Sequence, residues 1–214
     1  MPAAEYFSCP SCGTSTALEI DLPVWICCPN CHDTYEMDEK HTLFAKMYSK
    51  FEADPVARIR IGDRGIYAGT AFRITGVVRS FTTVSIDHEW LMLFEDGRWM
   101  WLVDSCFHYF LVDAEETDVP ITFGSNIEPG KMVTVNGNKF LVTDKYERKG
   151  ARRDGQVKAE FYTKDRYRQY DLFSLDDKSN VTINEYSQKE TTMQRGRRVA
   201  FDELKLTSSG KFQK

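Results

Sequence analysis

The sequence predicts a mainly β protein in which a small cysteine-rich module precedes two related small β units, each barrel- or sandwich-like. Three observations predict this class. Aromatic residues make up 13% of the 214 residues, and aromatic side chains favour strands. Short segments of alternating apolar and polar residues are separated by glycine turns. No apolar run approaches the ~20 residues that a membrane-spanning helix needs.

The order of these signals predicts five segments along the chain. The cysteine module covers residues 1–38, and a connector covers residues 39–57. In that connector Leu43, Met47 and Phe51 recur at helical spacing, which indicates a short helix. Two β-rich units follow at residues 58–119 and 120–206. The polar segment 207–214 is predicted to be a disordered tail.

The cysteine module contains two knuckles of the form Cys-Pro-x-Cys, formed by Cys9 with Cys12 and by Cys28 with Cys31. Fifteen residues separate the knuckles, a spacing typical of zinc ribbons. Two such turns complete a tetrahedron of thiolates around Zn²⁺, with no open position for water or substrate. The module is also too small to fold by burial alone. The sequence therefore predicts a structural zinc ion.

Two neighbouring residues compete for this assignment. Cys27 adjoins Cys28 and could replace it, although its offset of four from Cys31 fits a knuckle less well. His32 directly follows Cys31 and is expected to point away from the metal. The sequence leaves the choice between Cys27 and Cys28 open.

The β-rich units carry two clear hairpin signals. The turn at residues 95–98 contains Asp96-Gly97 and lies between two apolar runs, and Asn136-Gly137 separates a second pair of strands. Glycine supplies the positive φ that such turns need. The segment from Tyr146 to Lys158 is rich in basic residues, and we expect a loop there.

The two units also echo one another at a constant offset of 68 residues. Four positions are identical, and Ile74 and Val142 are equivalent in type, which predicts a duplicated β unit. The identical pairs are Gly62 and Gly130, Gly69 and Gly137, Phe72 and Phe140, and Thr75 and Thr143.

Charge is distributed unevenly along the chain. The net charge is -4, yet between Ile127 and Leu206 basic residues outnumber acidic ones by 17 to 13. Seven basic residues form a candidate surface for an anion or a partner: Arg148, Lys149, Arg152, Arg153, Arg195, Arg197 and Arg198. Such a surface could contact nucleic acid, an anionic membrane or an acidic protein. A solvated face of mixed charge is the more ordinary interpretation.

No catalytic constellation is recognisable in the sequence. The chain lacks a phosphate-binding glycine loop and a Gly-x-Ser-x-Gly elbow. Cys106 could act as a nucleophile with Asp104 and His108, which would share its face in one strand. A buried packing cysteine is the simpler interpretation, because free cysteines are commonly buried. We predict no catalytic residue.

The chain resembles a bacterial family called domain of unknown function 4178 from about Ile59 to Leu206. It departs from the family pattern at Glu89-Trp90, where the order is reversed, and at Gly155-Gln156, where an acidic Gly-Glu turn is missing. The residues that carry the resemblance are Gly62–Gly69, Phe72–Gly76, Glu89–Leu93, Gly97, Trp101-Leu102, Gly137, Phe140, Tyr170–Leu172 and Val199–Leu206.

The resemblance implies an accessory protein without an established activity, and some relatives have membrane-stress and polyamine-related genes as neighbours. The leading hypothesis is a non-enzymatic adaptor that docks a protein partner through its zinc ribbon. The alternatives are a nucleic-acid-binding protein that uses the basic second half and an enzyme that uses Cys106. The N-terminus lacks the features of a signal peptide, and six cysteines suit a reducing compartment. We therefore expect a cytoplasmic protein, with peripheral membrane association as an alternative.

Overall fold

The computed structural model shows a mainly β protein, as the sequence predicts. It describes residues 5–19, 25–37, 43–47, 57–82, 85–105, 108–113, 117–119, 127–158, 166–187 and 190–207. These residues contain no α-helix, and one 3-10 turn covers Phe201–Leu204. The strands are β1 (Tyr6–Ser8), β2 (Ser15–Ala17), β3 (Trp25–Cys27), β4 (Thr34–Met37), β5 (Leu43–Met47), β6 (Arg64–Tyr67), β7 (Thr70–Phe81), β8 (Ile86–Phe94), β9 (Trp99–Ser105), β10 (His108–Asp113), β11 (Thr117–Asp118), β12 (Met132–Val135), β13 (Asn138–Val157), β14 (Arg166–Ser174), β15 (Asn180–Ser187) and β16 (Glu190–Val199).

The cysteine module and the connector that follows it contribute short antiparallel strands. Strands β1 and β2 form a separate two-stranded sheet, whereas β3, β4 and β5 pair in sequence and join the large sheet. The helix predicted in the connector is wrong for Leu43–Met47, which is strand β5. Pairing with β4 places Thr34 opposite Met47 and overrides the helical spacing of the apolar residues. The rest of the connector lies outside the described residues.

The two predicted β units do not form two separate barrels or sandwiches. Strands β7 to β10 pair in chain order in the first half, and β13 to β16 do so in the second. Strands β7 and β13, which begin these two series, pair with each other, as do the strands that end them, β10 and β16. One large antiparallel sheet therefore curves round an interior that both halves share. The proposed boundaries of the segments stay predictions.

The internal repeat is visible in the backbone of the two halves. Gly62 and Gly130 have φ angles of 89° and 86°, and Gly69 and Gly137 have φ angles of 84° and 82°. The N–H of Gly62 donates to the carbonyl of Ile74, and the N–H of Gly130 donates to the matching residue, Val142, both at 2.8 Å. Two equivalent hairpins, β6–β7 and β12–β13, therefore begin the two halves.

The predicted basic loop is instead part of β13, a strand of 20 residues. Its first part pairs with β14 through Lys149, and its second part pairs with β7 from Lys149 to Gly155. The basic residues mislead because they occupy a long strand with two polar faces, a pattern that resembles a loop. Strand β13 consequently belongs to both halves of the sheet.

The two faces of the sheet carry different apolar clusters. Trp90, Met92 and Phe94 pack in one cluster under Ile59 and Leu204, and we call their side of the sheet the outer face. A second cluster covers the outer face of the second half, around Phe140, Val142, Tyr170 and Ile183. The opposite, inner face carries a smaller apolar cluster built from Trp25, Val78, Leu91, Trp101, Val112 and Val157. The rest of the inner face is polar.

Candidate metal centre and polar cavity

The two cysteine knuckles adopt the same backbone geometry. The N–H groups of Gly13 and His32 donate to the carbonyls of Cys9 and Cys28, at 2.8 and 2.9 Å. Both donors have positive φ, 74° at Gly13 and 59° at His32, which closes each turn tightly. Each knuckle therefore directs its pair of sulfurs to the same side.

The sulfur atoms of Cys9, Cys12, Cys28 and Cys31 all lie within 4.8 Å of one another. The Cys9–Cys31 and Cys12–Cys28 separations are both 3.6 Å. A tetrahedral zinc ion with Zn–S bonds of ~2.3 Å needs sulfurs about 3.8 Å apart. The four thiols thus fit a tetrahedral thiolate-binding metal, and the cluster is consistent with a zinc ribbon.

Neighbouring side chains contact the sulfurs and shift the pKa of a thiol. The Tyr35 hydroxyl lies 2.7 Å from Ser11 Oγ and 3.7 Å from Cys9 Sγ. The hydrogen bond between Cys12 and the Thr14 side chain lowers the pKa of the Cys12 thiol to about 5. A thiolate is the species that binds zinc, and this hydrogen bond favours the thiolate of Cys12.

The remaining candidates near the site, Cys27 and His32, do not join the cluster. The Cys27 thiol is buried, and its Sγ is 3.9 Å from the carbonyl oxygen of Cys28. Burial, reinforced by the charge of Asp154, raises the pKa of Cys27 to about 12. The converging sulfurs are those of Cys9, Cys12, Cys28 and Cys31, so the cluster contains Cys28 and leaves Cys27 outside it.

The cysteine module is fixed to the large sheet by several contacts. Strand β3 pairs with β13, with Ile26 opposite Gln156. The Gln156 side chain accepts from the N–H of Glu19 and donates to the carbonyl of Ala17, both at 2.7 Å. Trp25 adds its ring to the apolar cluster of the inner face. The module and the sheet consequently share hydrogen bonds and core.

The seven basic residues do not lie on one surface. Arg148 and Arg153 are buried, so these two cannot be part of an exposed patch; Arg153 stacks over Trp25 at 4.1 Å. Arg195 contacts Asp177 at 3.7 Å. Among the seven, Arg152, Arg197 and Arg198 are exposed, as is Arg195. The backbone of Lys149 is part of β13.

The arrangement suggested around Cys106 does not form between its described members. Asp104 pairs across the strands with Tyr109, whose side chain packs in the outer-face cluster. His108 pairs with Ser105, and both line the inner face. Paired residues on adjacent strands share a face, so Asp104 and His108 face opposite sides of the sheet. Cys106 itself lies outside the described residues.

The polar part of the inner face encloses a cavity of about 300 Å³ between the two halves. Strands β8, β9 and β10 supply one wall, and β13 to β16 supply the other. Alternate residues of these strands supply most of its lining, as expected from the alternation of a strand. The lining includes carboxylates, amides and aromatic rings, so the interior is not a conventional apolar core.

A network of buried charges lies at one end of this cavity, centred on Arg148. Its Nη1 is 2.9 Å from Asp87 and 3.5 Å from Glu89, and it also donates to Ser80. Its Nε donates to Gln169 at 2.8 Å. Since burial of an unpaired charge is costly, these partners are what allow an arginine to lie inside the sheet.

The network joins equivalent positions of the repeat. Ser80 and Arg148 are 68 residues apart and contact each other. Their neighbours Glu89 and Gln169 also correspond, because they pair with the matching residues Val78 and Tyr146. The centre of the molecule is therefore built from both copies.

Sequence reasoning missed the cavity. On β14 and β15 the polar residues Gln169, Asp171 and Asn184 alternate with buried apolar ones. This alternation normally indicates a strand with one solvent-facing side. Only the pairing of the two halves shows that the polar side faces inwards.

The fold and the site define a class: a β-rich protein with a four-cysteine cluster of the zinc-ribbon type in front of a large antiparallel sheet. The model of the family described as "Domain of unknown function (DUF4178)" matches residues 60–201. The chain belongs to this family, as its motifs predicted. Searches of curated proteins and of solved structures found no match. In the part of the chain that the structure describes, no helix has the length and apolar character needed to cross a membrane.

Proposed function

We propose that the chain is a non-enzymatic interaction or adaptor protein whose zinc-stabilised ribbon docks a protein partner. The observation that carries this proposal is the four-thiol cluster. Four thiolates fill the coordination shell of zinc, which leaves no position for a substrate or an activated water. A metal held in this way stabilises the shape of the module and performs no reaction.

The exposed side of the ribbon supports the docking role. Tyr6 of β1 is 64% exposed, and exposed tyrosines are favoured in protein interfaces. The β3–β13 pairing and the Gln156 hydrogen bonds hold the module against the sheet. A docking surface fixed in this way loses little conformational entropy when a partner binds.

The proposal includes a cytoplasmic location. Five cysteines lie among the described residues, and they form no disulfide. Free thiols arranged for metal binding suit a reducing compartment. A link to membrane-stress systems rests on the family resemblance alone and stays a prediction.

Metal analysis of matched cysteine variants tests the zinc site. We expect about one zinc ion per chain in the wild type and in Cys27→Ser, because Cys27 is outside the cluster. Cys28→Ser removes a ligand and is expected to abolish stoichiometric zinc. Equal zinc in both variants, or none in the wild-type protein purified without chelator, would contradict the assignment.

Affinity capture from the native cell tests the docking surface, with Tyr6→Ser as the variant. The matched control is Leu175→Ser, which replaces a side chain of similar exposure, 54%, on the distant β14–β15 turn. We expect partners recovered with the wild type and the control to be lost with Tyr6→Ser, while all three proteins retain zinc. Identical recovery with all three proteins would exclude the ribbon as the docking surface.

A further inference from the structure

The cavity between the two halves has the size of a small-molecule site. Its volume of about 300 Å³ lies at the lower end of the range for ligand pockets. Polar groups placed inside a protein cost free energy unless they find partners. A sheet selected only for stability would therefore fill this space with apolar side chains, as the neighbouring cluster around Leu91 and Trp101 does.

The charges that line the cavity are unbalanced. The lining residues include four carboxylates but a single guanidinium, Arg148. That guanidinium is already ion-paired with Asp87 and Glu89. Its ion pairs are therefore with these two protein carboxylates. The two other carboxylates, Asp144 and Asp171, have no ion pair with a cationic side chain among the described residues. The surplus charge is negative.

Asp144 and Asp171 lie directly opposite each other on β13 and β14. Like charges at directly paired positions destabilise a sheet. Gln169 and Thr182 both donate to Oδ1 of Asp171, at 3.0 and 3.1 Å. Its second oxygen, Oδ2, receives no hydrogen bond from the described residues. Burial raises the pKa of Asp171, and the charge of Arg148 opposes that shift. The pair thus offers an unfilled acceptor on Asp171 next to the exposed carboxylate of Asp144.

Aromatic rings and negatively charged groups surround this pair. Tyr146 and Tyr167 line the cavity, as do Trp101 and Phe110. Burial, the hydrogen bond with Asp144 and the charge of Asp171 raise the pKa of the Tyr146 hydroxyl. Aromatic faces attract organic cations, so the rings and the carboxylates favour the same kind of guest.

We propose that this cavity binds a small organic cation, an alkyl- or arylalkylammonium, with its ammonium group between Asp144 and Asp171 and its apolar part against the aromatic rings. A divalent metal ion suits the site less well. Within the described ranges, three or more metal-ligating side chains converge only at the cysteine cluster. The inference goes beyond the adaptor role and stands on residues remote from the ribbon.

A charge series on one carbon skeleton tests the inference by calorimetry on the full, zinc-loaded chain. The probes are 2-phenylethylammonium, the neutral 2-phenylethanol and the anionic phenylacetate. We expect saturable binding of the cation, binding about tenfold weaker for the neutral probe and weaker still for the anion. Equal affinities for the three probes, or no saturable binding of the ammonium at about 10 mM, would overturn the proposal.

Two variants locate the binding group. Asp171→Asn removes the half-buried charge, and Asp144→Asn removes the exposed one and is expected to fold normally. Each is expected to weaken binding of the ammonium about tenfold while leaving 2-phenylethanol unchanged. The matched control is Asp118→Asn, an exposed position on β11 outside the cavity. Unchanged affinity for the ammonium in Asp144→Asn, with intact zinc content, would show that the pair is not the site.

Discussion

The two halves of the large sheet have one backbone plan but different inner faces. Gly76 in the first half corresponds to Asp144 in the second, 68 residues later. Their cross-strand partners are Leu91 and Asp171. The first half thus places a glycine and a leucine where the second places two carboxylates. The hairpin depends on its glycine turns and outer apolar residues, so the inner positions could diverge between the copies.

The two equivalent positions, Gly76 and Asp144, also differ in what they contact. A Cβ atom at Gly76 would lie 2.4 Å from the carbonyl oxygen of Gln156, because β13 passes close to β7 there. The equivalent Asp144 is exposed at the cavity. One copy therefore serves packing, and the other is available for binding.

Replacement of Arg148 is expected to have the largest effect on stability. Arg148→Met leaves Asp87 and Glu89 buried without their cation, which should cost about 3–5 kcal/mol. Ser80→Ala, at the equivalent position of the first half, loses one hydroxyl and should cost about 1 kcal/mol. Urea unfolding measures both values. Similar costs for the two variants would contradict the central role of the guanidinium.

The next largest effect is expected at Gly76. Gly76→Ala brings a methyl group against the backbone of β13 and should destabilise the fold by about 3 kcal/mol. Asp144→Ala, at the matching position, meets no such obstacle and should change stability by less than about 1 kcal/mol. The same unfolding experiment compares them. Equal tolerance at both positions would show that β7 and β13 are not so closely packed.

Removal of one of the paired charges should stabilise the ligand-free protein slightly. Asp144→Asn relieves its repulsion with Asp171 and is expected to raise the free energy of unfolding by about 0.2–1 kcal/mol. Asp118→Asn, which has no such neighbour in its strand pair, should fall within about 0.5 kcal/mol of the wild type. A destabilised Asp144→Asn would indicate that the carboxylate serves packing and not binding.

The smallest effect concerns the turns that follow β8 and β14. The hydrogen bond with Arg98 lowers the pKa of Asp96, and hydrogen bonds from Ser179 and Ser174 lower the pKa of Asp177 to about 2. Both carboxylates stabilise the fold above their unfolded pKa of 3.8, and this contribution is lost as the pH falls through the folded values.

Carboxyl titration by NMR at low and high salt distinguishes the two turns. Salt should raise the pKa of Asp96, because its partner is the charged Arg98. It should raise the pKa of Asp177 less, because the main partners there are the neutral hydroxyl and amide of Ser179 and the charge of Arg195 is the smallest contribution. A larger salt response at Asp177 than at Asp96 would contradict these assigned causes of the two pKa shifts.

The features that the sequence predicted correctly depend on local rules. The knuckle spacing predicted the cluster of Cys9, Cys12, Cys28 and Cys31, and Gly97 and Gly137 marked real hairpin turns. The strand at Leu43–Met47 and the burial of Arg148 could not be predicted, because both depend on partners distant in the chain. The polar cavity was hidden for the same reason. Its residues alternate like those of an exposed face until the second half closes over the first.

Strand β13 also sets an order for biosynthesis. Strands β3 and β7 leave the ribosome early and can pair with β4 and β8. Their pairing with β13, however, forms only when the segment ending at Val157 has been made. Until then the edge of each strand that later pairs with β13 is open to pairing with other chains. Nascent chains that stall before this point are consequently expected to aggregate, and the protein completes its sheet late in translation.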